Sequence, residues 1–160
     1  MKTPTKLLGS ALALLLGLAP VAFAQDKPAD SMEILREKIR ADKKLVVAGN
    51  MDLTESEAKG FWPVYDQYQK DLQKINQRIA RVLDSYADDF RSQSLTDDKA
   101  KKLISEALAI DKAEADLKTT YAPKLGKVLP ARKVVRYLQI ENKIRAVVRY
   151  DIASGVPLVK

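Results

Sequence analysis

Residues 53–86 read LTESEAKGFWPVYDQYQKDLQKINQRIARVLDSY, and their spacing decides the architecture. Phe61, Tyr65, Tyr68, Leu72, Ile75, Ile79, Val82 and Tyr86 alternate steps of four and three. A helix of 3.6 residues per turn gathers such positions into one apolar stripe. A stripe this long needs another helix laid lengthwise against it. Thr54 stands ahead of the stripe as a helix cap, and Glu57 completes a capping box. Leu53, just before the cap, can act as a hydrophobic staple. Gly60 and Pro63 interrupt the first turns. Pro63 lacks an amide hydrogen and crowds the carbonyl four residues back, so a kink or a restart is expected there.

The same punctuation recurs downstream. Ser92 to Ser94 form a polar break, and Leu95-Thr96-Asp97-Asp98 repeats the leucine, capping threonine and first-turn acids. Ala100, Leu103, Ala107, Ile110, Leu117 and Tyr121 continue a third helix, whose end Pro123 and Gly126 weaken. Leu129-Pro130 opens a fourth, with proline at the tolerated first position. Its expected buried face is Val134, Val135, Leu138, Ile144, Val147, Val148 and Ile152, ended by Gly155 and Pro157. Upstream, Ser31 caps a first helix in which Met32, Leu35, Ile39 and Val46 fall at helical spacing, and Gly49-Asn50 supplies the stop. The expected fold is all-α: a long antiparallel helical hairpin with additional N- and C-terminal helices, about four helices.

Residues 1–24 have the form of a secretory signal peptide. Lys2 and Lys6 precede the apolar run Leu7–Leu18, Pro20 breaks it, and Ala22-Phe23-Ala24 offers a cleavage site before Gln25. A run of about a dozen residues is short of the roughly twenty needed to span a bilayer. The expected organisation is residues 1–24 removed, 25–30 a flexible N-terminus, 31–153 a single helical domain and 154–160 a C-terminal tail. The expected location is the periplasm, with no stable membrane insertion. Cys and His are both absent. Disulfides, thiol or imidazole nucleophiles and an imidazole base are therefore excluded, and zinc or copper sites lose their usual ligands. No metal and no cofactor are expected. Export and the lack of a binding motif argue against nucleic acid as the partner of this basic chain, whose formal charge is +7.

Three features invite function. Phe61, Tyr65 and Tyr68 lie on the stripe and read as core, whereas Trp62 lies off it and is a candidate binding residue. Between Lys118 and Arg149 nine cations stand against one acid, Glu141. Arg132, Lys133, Arg136, Lys143, Arg145 and Arg149 read either as an electropositive face for an acidic partner or as a solvated face balanced by Asp97, Asp98, Asp111, Glu114 and Asp116. Asp88-Asp89 and Asp97-Asp98 flank the hairpin turn. They lack the spacing of a calcium loop and read as turn chemistry, so no catalytic residue is expected.

The helix starts Leu53-Thr54-Glu55-Ser56-Glu57 and Leu95-Thr96-Asp97-Asp98-Lys99 resemble degenerate copies of the L-T-x-x-Q motif of the Spy/CpxP superfamily of periplasmic helical proteins. Glu57 and Lys99 stand where the motif has glutamine, and Pro130 stands where a third copy would have threonine. Phe61-Trp62-Pro63-Val64-Tyr65 and Val128-Leu129-Pro130-Ala131-Arg132-Lys133 resemble an uncharacterised exported branch of such proteins. The resemblance implies a helical hairpin, a homodimer and a non-enzymatic role. The leading expectation is an ATP-independent chaperone holding unfolded envelope proteins. The alternative is a regulatory or structural partner of an envelope-stress sensor, such as the periplasmic domain of a sensor kinase, or of another envelope component.

Overall fold

The computed structural model describes residues 42–159. These contain four helices and no strand: α1, described over 42–51, α2 (Glu55–Arg91), α3 (Asp97–Gly126) and α4 (Ala131–Gly155). The expected signal segment, residues 25–30, the expected Ser31 cap and the apolar positions Met32, Leu35 and Ile39 lie outside the described residues. Among the described residues no helix is long and apolar enough to cross a membrane.

The stripe on α2 forms the spine of the bundle. Phe61, Tyr65, Tyr68, Leu72 and Ile75 are buried, and Ile79 and Val82 pack against the same core. α3 returns antiparallel, as Tyr121 on Asp71, Arg78 on Glu106 and Lys99 on Asp89 show in turn. α4 runs back alongside α3 and parallel to α2, with Gln69 on Glu141 and Arg145 on Asn76. α1 lies antiparallel to both α2 and α4, and its Val47 and Met51 are fully buried. The bundle is thus four helices thick around the aromatic cluster. There Phe61 and Tyr137 meet edge to face at 5.2 Å, and Tyr68 and Tyr121 do so at 5.3 Å. That geometry sets ring edges against ring faces, as the quadrupoles favour.

The caps form as expected. Thr54 accepts the Glu57 amide while the Glu57 carboxylate accepts the Thr54 amide at 2.8 Å, and Thr96 accepts the Lys99 amide. Other positions differ from expectation. α2 passes through Pro63 without a restart, because the proline removes only one ladder bond and Phe61 and Tyr65 on either side are locked into the core. α1 continues past Gly49-Asn50 to Met51 and stops at Asp52, whose φ is 47°. The fully buried Met51 is that extra residue and anchors the helix end in the core. Pro130 is the N-cap of α4 rather than its first helical residue, and its carbonyl accepts the Lys133 and Val134 amides. Ala107 and Val135 are exposed, while Tyr137 and Glu141 take places on the buried face. Steps of three and four from Val134 reach Tyr137, Glu141 and Ile144, whereas Val135 lies about 100° further round.

Gly60 is required by a close approach. A Cβ there would stand 3.0 Å from Val128 Cβ in the α3–α4 turn. The start of α2 and that turn therefore approach closely where Gly60 has no side chain, and a Cβ there would require Val128 to give way by a few tenths of an ångström.

Candidate functional site

A cleft of about 200 Å³ opens where α2, α3 and α4 meet beside Lys43 of α1, and a larger, more open one of about 550 Å³ lies between α2 and α3 near the hairpin turn. Two carboxylates reach the first from positions that sequence periodicity assigns to the core. Glu141 is 3% exposed and accepts Lys43 Nζ at 2.8 Å and Gln69 Nε2 at 2.9 Å. Gln69 Nε2 also donates to the Tyr137 hydroxyl at 3.4 Å. Glu114, likewise buried, accepts from Arg145 and, at 2.8 Å, from Arg149 Nη2. A charge withdrawn from water needs such partners, since its desolvation costs several kcal/mol.

Burial weakens the phenols around the first cleft as acids. Desolvation, then the Glu141 carboxylate, pushes Tyr65, Tyr68 and Tyr137 well above the usual phenol range. Tyr121, whose hydroxyl donates to Asp71 at 2.6 Å, is pushed up to about 12, first by desolvation and then by that bond. Desolvation, followed by the Arg149 charge, lowers the Arg145 pKa. Each buried carboxylate already accepts from two donors, and every buried phenol is held neutral.

The six basic residues of α4 divide into two sets. Lys133 Nζ donates to the Asp52 carbonyl and to Glu57, and Arg136 Nε donates to the Asn50 carbonyl. Arg145 bonds Glu114 and Asn76, and Arg149 bonds Asp111 and Glu114. Those four tie α4 to its neighbours. Arg132 and Lys143 are exposed and form no ion pair among the described residues. Trp62 is half-buried against the core. Its ring lies 4.9 Å from Phe61 and 5.3 Å from Tyr65, with Lys44 Nζ 5.1 Å from its centroid. It belongs to the seam between α1 and α2.

The acids of the hairpin turn are also accounted for locally. Asp89 accepts Lys99 Nζ at 2.6 Å and Ser94 Oγ at 3.0 Å, and Asp88 accepts Arg91 at 2.6 Å. Lys99 first, and Ser94 further down, hold the Asp89 carboxyl below its ordinary value against the opposing effect of burial.

Sequence reasoning missed Glu141, Gln69 and Tyr137 as a connected group. The available signal was an acid standing on an apolar step pattern, since Glu141 falls between Tyr137 and Ile144, as Glu114 falls between Ile110 and Leu117. No family model, curated protein or solved structure matches this chain.

Proposed function

We propose that this protein works by holding other polypeptides rather than by chemistry, as an ATP-independent chaperone for unfolded proteins in the periplasm. The observation that carries the reading is the outer face of α4. There Arg132, Val135, Lys143 and Tyr150 are all exposed along a single stripe, Val135 by 54% and Tyr150 by 62%. Cations that form no ion pair among the described residues draw in acidic segments, and neighbouring apolar side chains hold them by small areas that release readily. The sequence resemblance to Spy/CpxP proteins points the same way.

The test is light scattering from a chemically unfolded client without nucleotide. Suppression near one-to-one, weakened by salt and by the pair Arg132→Glu and Lys143→Glu, is expected. No suppression at excess removes the proposal.

The second reading, a regulatory or structural partner of an envelope-stress sensor, draws on the C-terminal tail. Leu158 and Val159 are exposed by 88% and 64%, while the Tyr86 hydroxyl donates to the Pro157 carbonyl at 2.8 Å. An apolar tail anchored at one point suits one defined partner. Capture of a single folded protein that is lost on deleting residues 156–160 would favour it.

A further inference from the structure

The larger cleft near the hairpin turn has a charge balance of its own. Every described residue that lines it belongs to α2 or α3, so the two helices form its facing walls. An ion pair crosses the groove at each end: Arg78 with Glu106 at 2.8 Å, and Lys99 with Asp89 at 2.6 Å. Between those pairs, along the two helices, stand Arg81 and Ser85 of α2 and Lys102 of α3. Steps of three and four from the paired residues bring all three onto the groove side of their helices. Val82 and Leu103, both half-buried, give the groove its apolar part.

The carboxylates of the groove are already engaged. Glu106 and Asp89 belong to the end pairs, and Asp88 accepts Arg91 at 2.6 Å. Arg81 and Lys102 are exposed and form no ion pair or side-chain hydrogen bond among the described residues, and the Ser85 hydroxyl forms no hydrogen bond there either. The Arg81 charge does reach Glu106. The Arg78 bond first, and the Arg81 charge last, hold the Glu106 carboxyl below its ordinary value against the opposing effect of burial. The hydrogen bond of that carboxylate still goes to Arg78, so the Arg81 fork stays available.

We propose that this groove binds a phosphate group carried on a short organic body. Two cations on facing walls match the two charges of a phosphate monoester. Arg81 offers a planar fork that meets two phosphate oxygens at once, Lys102 a point charge and Ser85 a hydroxyl donor. Like charges across one groove repel, and an anion between them removes that repulsion. The volume of about 550 Å³ lies within the usual span for small-ligand clefts, roughly 300–1,000 Å³. Val82 and Leu103 meet the apolar atoms next to the phosphate. A soluble ester and a lipid headgroup share this chemistry. The groove stands apart from the outer face of α4, so this binding and the holding function can fail independently.

Calorimetric titration of the full chain with phenyl phosphate, at low salt and a pH where the ester is a dianion, tests it. Saturable binding is expected. Arg81→Gln and Lys102→Gln each weaken it about tenfold, since each removes a hydrogen bond to a charged group. The same loss of charge elsewhere on α2, in Lys59→Gln with Lys70→Gln, leaves it within about twofold. All four side chains are exposed, so melting temperatures hold in every variant. Phenyl sulfate, a monoanion of the same shape, binds several-fold more weakly. Cosedimentation with phosphatidylcholine vesicles carrying phosphatidic acid separates the sources. Capture that is lost in the Arg81→Gln, Lys102→Gln double variant supports a lipid phosphate, and phenyl phosphate binding without vesicle capture supports a soluble ester. No binding of phenyl phosphate up to about 10 mM, together with no capture that depends on Arg81 and Lys102, overturns the inference. So does equal affinity for phenyl sulfate, or binding that the Lys59→Gln, Lys70→Gln variant weakens as much as the groove variants do.

Discussion

Glu141 of α4 and Lys43 of α1 form an ion pair at 2.8 Å between a carboxylate 3% exposed and an ammonium 22% exposed, across 98 positions of sequence. It joins the first described helix to the last and lies at the edge of the aromatic cluster.

Removing one partner of such a pair costs more than removing both. Lys43→Ala leaves Glu141 buried with Gln69 as its remaining donor and should destabilise the fold by about 2 kcal/mol. Lys43→Met together with Glu141→Leu should cost clearly less, because no charge is stranded. Urea unfolding of the two single variants and the double variant measures this. Equal or additive losses would show that the buried charge is not what the pair neutralises.

The basic residues of α4 should separate by consequence. Arg145→Ala strips Glu114 of one of its two arginines in a site where the arginine is 13% exposed, and a loss of about 2–3 kcal/mol is expected. Arg132→Ala and Lys143→Ala should each change stability by less than about 0.5 kcal/mol. Melting temperatures of the three variants decide it. A comparable loss at Arg132 would mean that its exposed side chain has a structural partner.

The α2–α3 turn stores strain at Gln93. Its φ is 53°, and the Ser94 and Gln93 amides close onto the Asp89 and Phe90 carbonyls at the end of α2. This is a helix stop that favours glycine, since a Cβ is disfavoured in the left-handed region. Gln93→Gly should therefore stabilise the protein by about 0.5–1 kcal/mol, while Gln93→Val should lower the melting temperature. Destabilisation by glycine would show that the side chain matters more than the backbone.

Acid should loosen the contact between α2 and α3. Lys74 Nζ, and after it the Tyr121 hydroxyl, hold the Asp71 carboxyl down at about 2 from an ordinary 3.8. A depressed carboxylate contributes stability that is complete above the unfolded value and is lost as pH falls from 3.8 towards 2. The stability gap between the wild type and Asp71→Asn should narrow across that window. With no histidine in the chain, no such step is expected between pH 5 and 8. Thermal melts at closely spaced pH check both statements, and a gap that widens in acid would refute the first.

Much of the fold was legible locally. The Phe61–Ile75 steps, the Thr54 and Thr96 caps and the Gly155 stop all depend on residues within a turn or two of one another. The candidate surface was less legible. Arg145 and Arg149 look no different in sequence from Lys143, yet the first two face Glu114 and the last faces solvent. Trp62, off the stripe by spacing, is drawn in by Lys44 of a helix that approaches from another direction.

The sequence by itself determined that this chain forms long helices and which of their stripes are apolar, because helix geometry repeats every 3.6 residues and capping is a short-range bond. Only the tertiary structure decided that Glu114, Glu141 and Tyr137 lie inside, that four of the six α4 cations bind the protein's own helices, and that Ile104 and Leu108 stay outside. Those outcomes depend on which helix lies against which. The partners that make a buried charge tolerable come from 31 to 98 residues away, a distance over which no local pattern carries information.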